Sequence, residues 1–138
     1  MSPGRRPGER PELFEGVPYR YAALAPAGGL LFTAGACPLD AQGAVIGPGD
    51  YEAQTRAVLR NLLAVLEAHG AGPGDLVKTT VYVVGDRSDL LRVWSIVEGA
   101  WAPHQPPSTL LGVSVLGFAG QLVEIEAIAA LAATTGTA

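Results

Sequence analysis

The sequence has 138 residues, a formal net charge of −4 and a pI near 5.0. With 49% hydrophobic and 16% charged residues, it has the composition of one globular domain and is too short for two cores. Its basic residues form no stripe of the kind that binds nucleic acid, and no segment reaches the roughly 18 uninterrupted apolar residues of a membrane span, so we predict neither partner.

The two ends of the chain read differently from its middle. Residues 1–15 are rich in Pro, Gly and charge, and residues 133–138 resemble them, so we predict two tails around a single domain at 16–132. The first sixteen residues contain no apolar core of a signal peptide. A lone cysteine, Cys37, cannot form an internal disulfide, and with only His69 and His104 beside it no zinc cluster is expected. These features predict a cytoplasmic protein.

The first half of the domain predicts two strands followed by a helix. Residues 19–25 and 30–34 read as a hairpin around the turn residues 26–29. Asp50 is a good N-cap, and Gly70 followed by Pro73 is typical of a helix end. Between them, apolar residues recur at helical spacing: Val58, Leu59, Leu62, Leu63 and Leu66.

The second half predicts a strand, a helix and two further strands. The strand is residues 76–84, the helix is capped by Asp86 or Ser88 and stops at Pro103, and the last strands are 109–116 and 122–131, joined as a hairpin by the turn 117–120. The order ββαβαββ predicts an α+β fold with a mixed sheet, parallel where a strand-helix-strand step has a crossover helix and antiparallel in the hairpins. The expected buried stripe of the second helix is Leu90, Leu91, Trp94, Val97 and Trp101.

Two helices can cover only one face of such a sheet. In the strand 76–84, one set of alternate residues begins at Val77 and the other at Lys78, and neither is the charged row of a face left in water. The strand 122–131 behaves similarly. We therefore predict that further copies of the chain cover the second face, the alternative being a monomer with an open, weakly apolar face.

Five segments, in order, are informative together. They are Leu-Phe-Thr-Ala-Gly-Ala at 31–36, Gln-Thr-Arg-Ala at 54–57 with Asn-Leu at 61–62, Gly-Asp-Leu-Val-Lys-Thr-Thr-Val-Tyr-Val at 74–83, Pro-Pro-Ser-Thr at 106–109 and Val-Glu-Ile-Glu-Ala-Ile-Ala at 123–129. With these segments the chain resembles the RidA (YjgF) family between about residues 19 and 131. The resemblance implies a chorismate-mutase-like fold and a homotrimer that binds small molecules in clefts between its subunits. It also implies hydrolysis of reactive enamines and imines, made from amino acids, to 2-keto acids and ammonia without a metal or organic cofactor.

The resemblance also implies the residues of a site. Glu124 matches the family's glutamate, which positions the attacking water, and Gly35 matches a glycine whose backbone lies against the ligand. Tyr21 aligns with an aromatic residue that lines the cleft. The structural alternatives are a solvated glutamate beside Glu126, a strand bulge at Gly35 and an ordinary hairpin aromatic.

The sequence departs from the family at its carboxylate clamp. Active members carry an arginine two residues after a proline, which here is Ser108 after Pro106, and often a cysteine two residues later, which here is Leu110. Ala36 replaces the glutamine that follows the family's Ser-Gly. Ser108 and Thr109 can hydrogen-bond a ligand oxygen, or they are plain strand and turn polarity. The arginines considered as a replacement anchor are Arg20, Arg87 and Arg92.

Two functions follow from this pattern. The first is a RidA-like enamine or imine deaminase, or a tautomerase, with an altered carboxylate clamp and Glu124 as the catalytic residue. The second is a non-catalytic homotrimer that binds a metabolite in the same clefts. Cys37 is interpreted as a small buried hydrophobe, and Trp94 and Trp101 as core residues.

Overall fold

The computed structural model describes residues 27–132, which form a four-stranded sheet and two α-helices. The predicted strand at 19–25, with Tyr21 and Arg20, lies outside the described residues. A 3-10 helix precedes the second strand, and within the described residues no helix is long and apolar enough to cross a membrane. The elements are β1 (Leu30–Phe32), α1 (Tyr51–Ala68), β2 (Leu76–Val84), α2 (Arg87–Trp101), β3 (Ser108–Val113) and β4 (Val123–Ala130).

The helices begin and end where their capping residues predict. The Asp50 carboxylate accepts the backbone amide at position N3 of α1 at 3.0 Å. Asp86, and not Ser88, caps α2, and it exchanges side-chain-to-backbone hydrogen bonds with Asp89 at 3.1 and 3.0 Å. Helix α1 closes at Gly70, whose φ of 75° lies in the left-handed region that glycine adopts readily.

The sheet order is β1-β4-β2-β3. Strands β2 and β3 are parallel across α2, whereas β4 runs antiparallel to both of its neighbours, so the mixed α+β sheet is confirmed. The expected hairpin between the last two strands is wrong, because β2 lies between them. Strand β3 occupies one edge of β2, and β4 takes the other edge, where its apolar residues pack beneath α1.

The hydrophobic core lies between the two helices and one face of the sheet. One predicted member is wrong: Leu91 is 59% exposed, and Val93 is buried instead. Two residues along a helix correspond to about 200° of rotation, so a helix that buries Val93 and Val97 turns Leu91 outward. The fully buried side chains of the core include Val58, Leu62 and Leu66 of α1, Val81 and Val83 of β2, Val93 and Val97 of α2, and Val123, Ile125 and Ala129 of β4.

The opposite face of the sheet, which we call the uncovered face, carries no helix. Its composition is mixed: apolar side chains near both edges flank a charged centre, and Phe32 is 67% exposed. A register shift between Leu76 and Lys78 removes Val77 from the predicted alternation, so Leu76 is buried in its place. The side chains of this face are Phe32, Lys78, Thr80, Tyr82, Val84, Thr109, Leu111, Val113, Glu124, Glu126 and Ile128.

A fully buried glutamine of α1 connects two loops at one end of the sheet. The side-chain amide of Gln54 donates to the carbonyl oxygens of Gly47 at 3.2 Å and Gly120 at 2.8 Å. Its oxygen accepts the backbone amide of Leu122 at 2.7 Å. Gln54 therefore bonds three backbone groups with a side chain that is itself fully buried, and it fixes the turn that leads into β4.

We expect Gln54→Ala to lower the free energy of unfolding by about 2 to 4 kcal/mol, because it removes three hydrogen bonds and leaves a cavity where a fully buried side chain stood. Urea denaturation followed by circular dichroism measures the loss. The matched control is Gln42→Ala, at an exposed loop position, with an expected change within about 0.5 kcal/mol. Equal effects of the two substitutions would contradict the structural role of Gln54.

Candidate functional site

The candidate site is built around the carboxylate of Glu124, which projects from β4 on the uncovered face. The segment that follows β1 runs beside β4, because Ala36 and Ile125 exchange backbone hydrogen bonds of 2.7 and 3.2 Å. This pairing brings Gly35 and Cys37 next to Glu124. The structure thus brings together two of the residues selected from the sequence, Gly35 and Glu124.

Gly35 makes room for this carboxylate. A Cβ atom on Gly35 would overlap the carboxyl group of Glu124 and would lie 2.8 Å from its Cγ. Real Cβ atoms essentially never approach another heavy atom to less than 3.0 Å, so a side chain here must displace Glu124. The close approach of Gly35 in this chain is therefore to Glu124, a reason for glycine that the sequence did not indicate.

The two oxygens of the Glu124 carboxylate have different surroundings. Oε1 accepts hydrogen bonds from the thiol of Cys37 at 3.2 Å and from the side-chain amide of Gln121 at 3.3 Å. Oε2 lies against Gly35, and none of residues 27–132 donates a hydrogen bond to it. One oxygen is held by the protein, and the other can accept a proton from a ligand or a water molecule.

Cys37 has a polar role that its interpretation as a small buried hydrophobe missed. Burial and, to a smaller extent, the hydrogen bond and negative charge of Glu124 raise the pKa of the Cys37 thiol from 9.0 to about 11, while Gln121 acts in the opposite direction. At neutral pH the thiol is therefore protonated and donates to Glu124. A thiol in this state is a poor nucleophile.

The two donors to Glu124 are themselves held in place. Gln121 is 4% exposed, and its side-chain oxygen accepts the amide of Phe118 at 3.2 Å. Asn61 of α1 donates to the backbone oxygens of Cys37 at 2.8 Å and Leu39 at 3.1 Å. Sequence reasoning missed Gln121, because one polar residue before an apolar strand does not distinguish a turn from a site.

Ser108 and Thr109 lie on β3, which is separated from Glu124 on β4 by the strand β2. Ser108 pairs with Thr79 in the parallel β2–β3 ladder, and its hydroxyl hydrogen-bonds that of the fully buried Thr79 on the helix-covered side. Thr109 faces the opposite way and accepts a hydrogen bond from Lys78 Nζ at 2.6 Å. Within one chain the structure therefore does not bring Ser108 to Glu124.

The cations of the described residues lie on the two helices, apart from Lys78 on β2. Arg87 and Arg92 are exposed on α2, where the Arg92 guanidinium lies 5.9 Å from the centre of the Tyr51 ring. Among the lysine and arginines of residues 27–132, only Lys78 lies on the uncovered face. Its backbone is four residues, about 13 Å along β2, from the position paired with Glu124, and its ammonium group donates to Thr109 of β3.

The surroundings of Glu124 are consequently negative. Glu126 projects from the same face two residues along β4, and its carboxylate accepts the Tyr82 hydroxyl at 2.5 Å. This hydrogen bond raises the pKa of Tyr82 above its ordinary value, so the phenol is protonated and donates. Two carboxylates on one stretch of β4 favour a neutral or positively charged ligand beside Glu124 over an anion.

A shallow cavity lies on the same face beside Glu126. Its volume is about 180 Å³, enough for a small molecule. In residues 27–132 no group of three or more His, Cys, Asp or Glu side chains is arranged to hold a metal ion. The residues that line the cavity are Phe32, Thr33, Lys78, Thr80, Glu126, Ala127 and Ile128.

Comparison with known proteins agrees with this architecture. Residues 16–131 match a family model described as Endoribonuclease L-PSP. A RutC family protein of Pyrococcus horikoshii is 38% identical over 109 residues, which are 79% of this chain and 85% of the relative. An Escherichia coli protein named 2-iminobutanoate/2-iminopropanoate deaminase is 35% identical over 105 residues, 74% of this chain and 80% of that protein.

A solved structure shows the same fold. It is a protein of unknown function of the conserved Rid family from Yersinia pestis, with a TM-score of 0.78, 33% identity and coverage of 89% of this chain and 96% of that one. The mixed sheet with helices on one face and a glutamate on the other defines a Rid-type α+β protein. The chain belongs to the RidA (YjgF) family, as the resemblance in its sequence predicted.

We expect Gly35→Ala to push the Glu124 carboxylate away from Cys37, because the new methyl group takes its space. The pKa of the Cys37 thiol should then fall below about 11 but stay above 9.0, because burial, the largest cause of its rise, remains; the pH dependence of thiol alkylation measures it. The free energy of unfolding should change by less than about 1 kcal/mol, since the displaced atoms end a flexible side chain.

Gly99→Ala is the matched control for this substitution. A Cβ on Gly99 meets open space on α2, so the variant should keep the thiol pKa of the native protein and gain about 1 kcal/mol of helix stability. An unchanged thiol pKa in Gly35→Ala would contradict the described contact between Gly35 and Glu124.

Proposed function

We propose that this chain is an enamine or imine deaminase-type hydrolase that acts on a small reactive intermediate derived from an amino acid. The observation that carries the proposal is the Glu124 carboxylate, which has one oxygen held by Cys37 and Gln121, while the other lies against Gly35 and receives no hydrogen bond from residues 27–132. Membership of a family in which a relative is named 2-iminobutanoate/2-iminopropanoate deaminase supports the same chemistry.

The reaction requires proton transfers that one carboxylate can perform. An enamine becomes an imine when a proton is added to its carbon and one leaves its nitrogen. Water then adds to the imine carbon, and the resulting carbinolamine loses ammonia to give a ketone. Glu124 Oε2 can take the proton of the attacking water and return it to the departing nitrogen. Hydrolysis changes no oxidation state, so the proposed reaction calls for no redox cofactor; a tautomerase would use the first step alone.

The substrate proposed for this chain differs in charge from a 2-imino acid. Ser108 stands where the family carries its carboxylate-binding arginine, and its hydroxyl is engaged with Thr79. Near Glu124 the described residues offer Glu126, whereas Lys78 lies about 13 Å along β2. These features support a neutral imine or a protonated iminium without a carboxylate, because a guanidinium is the group suited to bidentate carboxylate binding.

We further propose that the enzyme is a homotrimer whose clefts are completed by neighbouring copies, as the family resemblance implies. The apolar residues at the edges of the uncovered face, among them Phe32, support burial against another subunit.

The acidic net charge does not favour nucleic acid as a partner, whatever the name of the family model. A lone thiol is consistent with the cytoplasmic location that we propose.

An alternative is a non-catalytic homotrimer that binds a metabolite in the same clefts. The observation that favours it is the loss of the family arginine at Ser108, which removes the charge that grips a carboxylate substrate. Calorimetry with keto acids and with their neutral amides separates the two functions. Saturable binding of an amide without turnover of any imine favours the alternative.

Turnover of matched imines tests the hydrolase. The pair is 2-iminopropanoate and its amide, each generated in the assay from an amino-acid precursor, with ketone formation measured above the rate in buffer. We expect the amide to be the better substrate by about tenfold in kcat/KM, since it avoids repulsion by Glu124 and Glu126. Glu124→Gln should lower kcat about 100-fold or more.

Glu98→Gln is the control, because Glu98 is exposed on α2, away from the uncovered face, and its rates should equal those of the native protein. Unchanged turnover in Glu124→Gln would remove that residue from the mechanism. A preference for the carboxylate substrate would contradict the proposed substrate charge and would place an anion-binding group in the cleft.

A further inference from the structure

We infer that Cys37 and Gln121 are positioning residues, which fix Oε1 of Glu124 so that Oε2 alone handles the proton of the attacking water. The inference rests on the proposed hydrolase function. It extends that function to two residues outside the five sequence segments that carry the family resemblance. Its basis is the geometry of one carboxylate held from two directions.

Both donors bond the same oxygen. The Cys37 thiol lies 3.2 Å and the Gln121 amide 3.3 Å from Oε1, while Gly35 packs against Oε2 on the other side. The last torsion of a glutamate side chain is otherwise broad, so the plane of the carboxylate can rotate. Two donors on one oxygen and a backbone contact at the other define a single orientation.

Each donor is itself fixed by buried hydrogen bonds. Because the oxygen of the Gln121 amide accepts the Phe118 backbone N–H, its nitrogen must point toward Glu124, where it also donates to the Val123 carbonyl at 3.1 Å. The backbone carbonyl of Cys37 is held by Asn61 of α1. These contacts hold both donors in place, so the folded structure fixes the orientation of the Glu124 carboxylate.

The same helix holds the turn that carries Gln121. Gln54 of α1 bonds the backbone of Gly120 and Leu122, the residues on either side of Gln121. Through Gln54 and Asn61, helix α1 therefore supports both donors to Glu124. Neither Cys37 nor Gln121 needs to touch the substrate in order to affect the reaction.

The orientation matters for the rate because proton transfer requires the accepting oxygen, the water and the reacting carbon to be aligned. Misplacement of a catalytic group by about 1 Å can cost roughly 100-fold in rate. A carboxylate whose plane rotates freely places an oxygen in line with the water for only part of the time. Loss of a positioning donor should therefore lower kcat and leave KM nearly unchanged.

The test compares three variants with the native protein in the imine assay. Cys37→Ala and Gln121→Leu remove one donor each and should lower kcat about tenfold, with KM within about twofold. Cys37→Ser keeps a donor at nearly the same position and should retain kcat within about threefold. This rescue separates a hydrogen bond from simple packing, because serine and alanine are both smaller than cysteine.

A second measurement uses the thiol of the only cysteine and needs no substrate. The pH dependence of Cys37 alkylation should show a higher thiol pKa in Gln121→Leu, where a lowering contact is lost. It should show a lower thiol pKa in Glu124→Gln, where a negative charge is lost.

The outcomes separate this inference from the proposed function. Thiol pKa shifts in both directions together with the kcat losses support it. Unchanged thiol pKa values in both variants overturn it whatever the turnover, and so does an unchanged kcat in Cys37→Ala and Gln121→Leu. A native protein that turns over no imine but shows both thiol shifts overturns the hydrolase while supporting the arrangement of the three side chains.

Discussion

The one-sided burial of β4 is the constraint on which the rest of the structure depends. Every second residue from Val123 to Ala129 packs beneath the helices, and the strand is paired on both edges. Because side chains alternate across a strand, the same burial that stabilises the core forces Glu124 and Glu126 onto the uncovered face. A shift of one residue in this strand would exchange core and site, so packing and the candidate chemistry are specified together.

Local signals in the sequence predicted the elements well and their arrangement less well. Asp50, Asp86 and Gly70 act through hydrogen bonds and backbone conformations within a few residues of themselves, so the helix ends are legible in the sequence. The order of the strands depends on which neighbour buries β4 best, a non-local property that turn residues do not encode. For the same reason, the direction in which Leu91 points could not be predicted without the position of the sheet.

Only part of the site could be predicted, because some of its contacts also join residues that are distant in sequence. Family resemblance identified Glu124 and Gly35, and the structure brings these two residues together. The contact from Cys37 to Glu124 spans 87 residues of sequence, and the one from Gln121 depends on a turn held by a helix, so neither follows from a local pattern. The side to which Ser108 points depends on its register with Thr79 in the parallel ladder.

The account requires small molecules to bind at Glu124 on a face that a second copy of the chain closes. A crystal structure of the protein soaked with a small neutral amide tests both parts in one measurement. We predict the amide nitrogen within hydrogen-bond distance of Glu124 Oε2, in a cleft enclosed by another subunit. An amide bound instead in the groove beside Arg92 and Tyr51, or a face open to solvent around Glu124, would contradict the account.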